Sequence, residues 1–157
     1  MKIRPLLDKL ETVAGWLQSP ALLLIRLAWG FQLFESGRGH LTHVAQTAHQ
    51  FEEWHIPFPT LNVYLSGSVE LAGGILLMVG LFSRFVSIPL FFNFCVAYAT
   101  ASPDAVKALF RLESPDDFIN DAAFPFLVTS LLVFAFGPGR LSLDALFFRK
   151  AKPPAAK

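Results

Sequence analysis

Residues 60–82 read TLNVYLSGSVELAGGILLMVGLF, a long apolar run with one charge, Glu70, near its middle. About 20 apolar residues cross the ~30 Å hydrocarbon core of a bilayer, so this stretch reads as a membrane-spanning helix. The Glu70 carboxylate then lies near mid-membrane. A charge at that depth costs at least a few kcal/mol unless it faces a protein interior, protonates or finds a partner. Gly67, Gly73 and Gly74 surround it, which lets a neighbouring helix approach closely.

Composition extends the reading to the whole chain. Hydrophobic residues make up 54% and charged residues 16% of the 157, with seventeen Phe, whereas a soluble domain carries about 25% charged residues. One compact all-α membrane domain follows. A net charge of +1 and the lack of a basic stripe exclude a general nucleic-acid binder.

Three further spans flank the Glu70 segment. The first covers about 21–38 and is interrupted by Arg26 and Glu35; the others cover about 85–101 and 118–137. Ser114-Pro115-Asp116-Asp117 has the form of an N-cap, with Pro at the first helical position and acids in the first turn. It predicts that the fourth helix starts above the membrane. Gly137-Pro138-Gly139 ends that helix. Residues 20–148 are thus an integral membrane four-helix bundle, followed by a basic, Pro/Ala-rich tail over 149–157 that is expected to be disordered.

Lys and Arg placement sets the orientation. With both termini in the cytoplasm, that side holds Lys2, Arg4, Lys9, Arg84, Arg140, Arg149, Lys150, Lys152 and Lys157, and the other holds Arg38, Lys107 and Arg111. The bias predicts N-in and C-in. Residues 1–19 read as an amphipathic segment on the cytoplasmic surface, with Leu6, Leu10, Val13 and Leu17 on one face, that turns inward at Ser19-Pro20. It is expected to be retained rather than cleaved. Residues 43–54 and 104–112 are weakly amphipathic and are expected to cap the outer side as short interfacial helices.

Depth arithmetic at 1.5 Å per residue sorts the polar groups into two layers. The first holds Arg26, Glu70, Asn93 and Thr129 or Ser130; the second, roughly 10 Å further out, holds Glu35, His40, Tyr98, Asn120 and Asp121. Arg26 shares a face with Gly30 and Gly37, which brings it towards Glu70. Glu70 and Arg26 are therefore the candidate reactive pair, with Glu35, His40, Asn93 and Asp121 as candidate ligand-binding residues. The competing structural reading is an ion pair that only locks two helices together, with Asn93 as an interhelical hydrogen bond.

His40, His43, His49 and His55 all fall in or beside the first outer loop, which argues against a bis-histidine haem within the bilayer. His40-x-x-His43, with His49, Glu52 and Glu53, matches no strong metal signature, and no metal is assigned. Cys95 is the only cysteine, so this subunit runs no dithiol relay alone.

Three segments together resemble a known family. Leu24-Ile25-Arg26-Leu27-x-x-Gly30-Phe31, leading to Gly37-x-x-His40-Leu41, looks like the opening signature of the DoxX family, which has Arg-Leu-x-x-Gly and then Gly-x-x-Lys-Leu. Glu70-Leu71-Ala72-Gly73-Gly74, followed by Val79-Gly80-Leu81-Phe82-Ser83-Arg84, is similar to its Glu-x-x-Gly-Gly and Gly-Leu-x-x-Arg pattern. Gly137-Pro138-Gly139-Arg140-Leu141-Ser142-Leu143-Asp144 resembles its Gly-Pro-Gly-x-x-Ser-x-Asp close. His40 departs from the pattern where the family carries Lys, replacing a fixed ammonium with an imidazole that titrates near neutral pH.

The resemblance implies a four-helix protein of the bacterial inner membrane. Members are linked to oxidoreductase complexes, including quinone-coupled thiosulfate oxidation, and to thiol-based stress defence. One expectation is therefore the membrane subunit of an oxidoreductase. In it a quinone head group would accept hydrogen bonds from Arg26 and His40, and Glu70, Glu35 or Asp121 would pass protons. The chain has no recognisable flavin, haem or iron-sulfur motif, so a soluble or membrane redox partner would supply the electrons. The alternative is a non-enzymatic anchor, assembly factor or small-solute carrier with a structural ion pair, making its contacts through Phe51, Trp54 and Phe58. The sequence carries no signature of oligomeric state.

Overall fold

A computed structural model describes residues 4–111 and 115–148. The expected cap residue Ser114 and the tail over 149–157 lie outside the described residues. Eight helices follow one another: α1 (Arg4–Thr42), α2 (Val44–Glu53), α3 (Pro59–Val79), α4 (Ser83–Ala101), α5 (Pro103–Arg111), α6 (Pro115–Ile119), α7 (Phe124–Phe136) and α8 (Leu143–Phe147). No strand occurs among the described residues. α1 packs along α3, α3 against α4, α4 against α7 and α7 back against α1, which closes a ring of four helices.

Glycine sets the α1–α3 contact. A Cβ on Gly74 would come within 2.5 Å of the Gly30 carbonyl oxygen and 2.6 Å of the Phe34 amide, and one on Gly37 would meet the Leu71 amide at 2.4 Å. The two backbones therefore touch where the side chains are missing. With Gly30 opposite Gly74 and Gly37 opposite Gly67 and Leu71, the register between the helices is fixed. The core beside this seam comprises Leu33, Leu77, Val86, Leu90, Phe94 and Val133. Phe126 of α7 stacks on Phe94 at 5.0 Å and meets Trp29 of α1 edge-on at 5.8 Å.

The outer faces are apolar. Leu24, Phe31, Leu65, Phe85, Phe92, Leu131 and Phe136 are all more than half exposed. So much apolar surface on every side of the ring would be a liability in water and is the ordinary face of a protein in lipid. Among the described residues, α3 and α4 are long and apolar enough to cross a membrane, and α7 is a shorter apolar helix.

Two boundaries differ from the sequence expectations. α1 does not turn at Ser19-Pro20; it runs unbroken through Pro20 for 39 residues, about 58 Å. A proline inside a helix removes one hydrogen bond without forcing a turn. Ser19 is buried and its hydroxyl accepts from the Arg140 amide at 3.1 Å, so packing against the C-terminal segment holds the helix straight on. Leu10, Val13, Trp16 and Leu17 stay exposed.

The fourth segment is also not one helix from 118 to 137. α6 stops at Ile119 and α7 begins at Phe124. In the gap, Asp121 accepts the Ala123 amide on its side chain at 2.8 Å and the Phe124 amide on its carbonyl at 3.0 Å. Pro125 has no N–H to continue a helix back onto the Asp121 carbonyl, so the local Asx turn wins.

Gly74→Ala is expected to lower stability by about 1–3 kcal/mol, because backbone atoms must give way to the new methyl. Gly39→Ala, with nothing within 4 Å of its Cβ, is expected to be neutral or to stabilise by up to ~1 kcal/mol. Thermal unfolding of the detergent-solubilised protein checks both signs.

Candidate functional site

The α1–α3 register decides what faces Glu70. Ser36 and His40 lie one turn apart on α1, and Ser66 and Glu70 one turn apart on α3; Asn93 comes from α4. The Glu70 carboxylate is almost fully buried. Ser36 donates to its Oε2 at 2.7 Å, while Ser66 and Asn93 donate to Oε1 at 3.1 and 2.9 Å. Three neutral donors thus spread over both oxygens, and they replace the water that burial removes.

His40 completes the cluster. Its Nδ1 stands 3.5 Å from Glu70 Oε2, close enough for an ion pair when the imidazole is protonated, but without hydrogen-bond alignment to any partner. The ring lies edge-on to Phe51 of α2 at 6.1 Å, and Phe51 in turn stacks on Trp54 at 5.8 Å. α2 therefore roofs the cluster with aromatic rings.

Glu70, His40 and Asn93 line one cavity of about 600 Å3, whose walls include Phe51, Trp54, Phe92, Phe94 and Phe126. That size, with apolar walls and a few converging polar groups, is the usual form of a small-molecule site. Asp121 reaches the same cavity, where its carboxylate accepts from Ser102. Glu70, His40, Asn93 and Asp121 thus share one enclosure, although the depth arithmetic had divided them between two layers. The sequence reading missed Ser36 and Ser66. Their signal is the four-residue spacing in Ser36-x-x-x-His40 and Ser66-x-x-x-Glu70, which puts each serine on the face of a stronger group.

Arg26 does not meet Glu70. It is fully buried ten residues before Ser36, roughly 15 Å of helix away, at the α3–α4 turn. There its guanidinium donates to the Leu77 carbonyl at 3.3 Å and to the Leu141 carbonyl at 2.5 Å. Its negative neighbour is Asp144, which itself accepts the Phe82 and Ser83 amides at 2.7 and 2.9 Å. Gly80 makes room: its φ is +70°, and a Cβ there would collide with Arg26 Nη1. Arg26 and Asp144 thus clasp the segment after α7 onto the α3–α4 turn, and the Asp144 amide closes the clasp on the Gly80 carbonyl at 2.9 Å.

The remaining candidates also fall outside the cavity. Glu35 is half-exposed, lies off the cavity wall and pairs with Arg38 one turn on, at 2.7 Å, so it cannot pass protons within the cluster. The Tyr98 hydroxyl donates to the Phe118 carbonyl at 2.8 Å. Thr129 and Ser130 are buried, and Ser130 bonds back to carbonyls of its own helix. The loop histidines make local contacts, His43 with Thr42 and Gly39 and His49 with Glu53. Among the described residues, no group of three or more His, Cys, Asp or Glu converges as a metal set.

The sequence model of the family described as DoxX matches residues 21–103, more than half of the chain. That range runs from the apolar part of α1 through α4 and takes in Arg26, His40, Glu70 and Asn93, but neither Asp121 nor Asp144. No curated protein and no solved structure matches the chain.

If Arg26 serves the fold, Arg26→Met is expected to destabilise by about 3 kcal/mol, because two buried carbonyls and a carboxylate lose their cation. Asp144→Asn should cost about 1–3 kcal/mol, since one amide oxygen cannot serve two backbone donors. The double variant should lose less than the sum, as coupled groups do. Glu35→Gln should stay within about 0.5 kcal/mol, with thermal unfolding as the common readout.

Proposed function

Since this chain belongs to the DoxX family, we propose that it crosses the bacterial inner membrane four times and binds a lipid-soluble small molecule in the Glu70 cavity as the membrane subunit of an oxidoreductase. The spans are the apolar part of α1, α3, α4 and α7, with both termini cytoplasmic. α7 is the short one; its 13 residues rise about 20 Å, and the Asx turn and α6 make up the depth above it.

The observation that carries the reading is the buried Glu70 carboxylate with His40, Ser36, Ser66 and Asn93 on the wall of a cavity whose remaining lining is mainly apolar and aromatic. A purely structural carboxylate needs no 600 Å3 space beside it. A quinone head group fits the donor set. The Asn93 amide and the His40 ring nitrogen can each donate to a ring oxygen, and aromatic side chains flank the ring plane. Reduction of a quinone to a quinol takes up two electrons and two protons. Glu70 and His40 are the groups placed to hand over protons, and a redox partner supplies the electrons. Arg26, held in its clasp, takes no part.

One observation favours a second reading. The acidic side chains on the cavity wall are Glu70 and Asp121, with no Lys or Arg among its lining residues. A carrier for a lipophilic cation would have that charge balance and those aromatic walls.

Protein purified in mild detergent is expected to retain quinone, and Glu70→Gln to abolish its retention and reduction while leaving thermal unfolding within about 1 kcal/mol, because the amide keeps the shape and most hydrogen bonds. Purified protein that holds no quinone, with Glu70→Gln affecting stability alone, would sink the oxidoreductase reading. Binding of tetraphenylphosphonium that Glu70→Gln removes would instead establish the carrier. Reporter fusions at both termini should report the cytoplasm, and a reporter in the α2–α3 loop the opposite side.

A further inference from the structure

We infer that the ligand of the Glu70 cavity is long-tailed, and that its tail lies along the outer groove between α3 and α4; the inference rests on the reading of that cavity as a ligand site. The groove has a volume of about 650 Å3. α3 lines it with Ser68, Ala72 and Leu76, and α4 with Phe85 and Val86. It exists because α3 presents small side chains on this face while Phe85, three-quarters exposed, stands up as a rim.

Continuity with the cavity identifies the occupant. Val69 and Pro89 line both the groove and the Glu70 cavity, so the two adjoin there. The chemistry across them is graded. The cavity end carries Glu70, His40, Asn93 and Asp121, whereas the groove carries no charge and a single hydroxyl, that of Ser68. From Ser68 to Leu76 the groove follows about 12 Å of helix. Adjoining spaces, one with polar groups on its wall and the other apolar for a further 12 Å, complement a molecule with a compact polar head and a flexible hydrocarbon tail.

The gain from the groove has a physical ceiling. Lipid chains are as apolar as the groove, so a tail moving from bilayer to protein gains packing but no hydrophobic transfer energy. Its larger contribution is tethering, because a seated tail holds the head near Glu70 at high effective concentration. A moderate preference follows, on the order of tenfold in affinity.

The test uses the full chain in phospholipid nanodiscs and two probes, a benzoquinone bearing an isoprenoid tail and the same ring with a methyl in its place. A photoreactive group on the tail is expected to label peptides containing Ser68–Leu76 and Phe85–Pro89, and unlabelled tailed quinone should compete it away. Ala72→Phe, at an exposed position where the ring fills the groove, is expected to weaken the tailed probe about tenfold and leave the methyl ring unchanged. Labelling elsewhere, an equal effect of Ala72→Phe on both probes, or no effect on either would overturn the inference. So would displacement of the label by phospholipid of any head group, which would assign the groove to bulk lipid, or by a second copy of the chain. If the methyl ring binds and Glu70→Gln removes it while the tail labels nothing here, the tail inference alone falls. If neither probe binds the wild type, the reading of the cavity falls with it.

Discussion

Backbone contact between α1 and α3 governs which groups face Glu70 and which face Arg26. With Gly74 against the Gly30 carbonyl and Gly37 against the Leu71 amide, neither helix can slide by a turn without driving a side chain into backbone. That register puts Ser36 and His40 opposite Glu70, and Arg26 beside the Leu77–Gly80 end of α3. A bilayer offers little hydrophobic reason for two helices to associate, so close packing through missing side chains takes over that role. The same contact keeps Arg26 and Glu70 apart, and each is hydrogen-bonded by a different local solution.

Those two solutions show how buried charge is handled in this fold. Arg26 is satisfied by backbone carbonyls and faces Asp144, whose own oxygens are committed to two amides. Arg26 Nε keeps no hydrogen-bond partner, but the guanidinium fills the space Gly80 leaves, and both of its terminal nitrogens are held by carbonyls. Glu70 is satisfied by side chains that can rotate, and His40 keeps a ring nitrogen without a partner beside an open volume. A committed network stabilises, whereas one with a free valence next to a cavity can exchange its hydrogen bonds for a ligand's. This difference, rather than the rarity of charge in the membrane, separates the structural site from the candidate functional one.

Histidine at position 40 matters in that setting. The ring sits between the Glu70 carboxylate and the aromatic roof of α2. An ammonium at this position would be a permanent counter-ion to Glu70; an imidazole can be one or can stand neutral, and it can donate through either nitrogen.

Sequence alone determined the elements that need only local information. The apolar length of 60–82 and 85–101 located α3 and α4 to within three residues at each end, the glycines of α3 marked a close contact, and the polar residues in and beside the apolar runs named Glu70, His40, Asn93 and Asp121, along with Arg26 and Glu35, which lie outside the cavity. Local chemistry misled where two rules competed. At Pro20 a helix continued because Ser19 gained a tertiary partner in Arg140, and at Asp121 a side-chain turn beat helix continuation. Tertiary structure alone decided the pairing. Depth counted along separate helices carries no information about their relative shift, and a shift of a few residues moves a partner by a full helical turn. Arg26 and Glu70 therefore looked like a pair until the glycine contact fixed the register. The adjacency of cavity and groove at Val69 and Pro89 likewise exists only in three dimensions, because it depends on which faces of α3 and α4 meet.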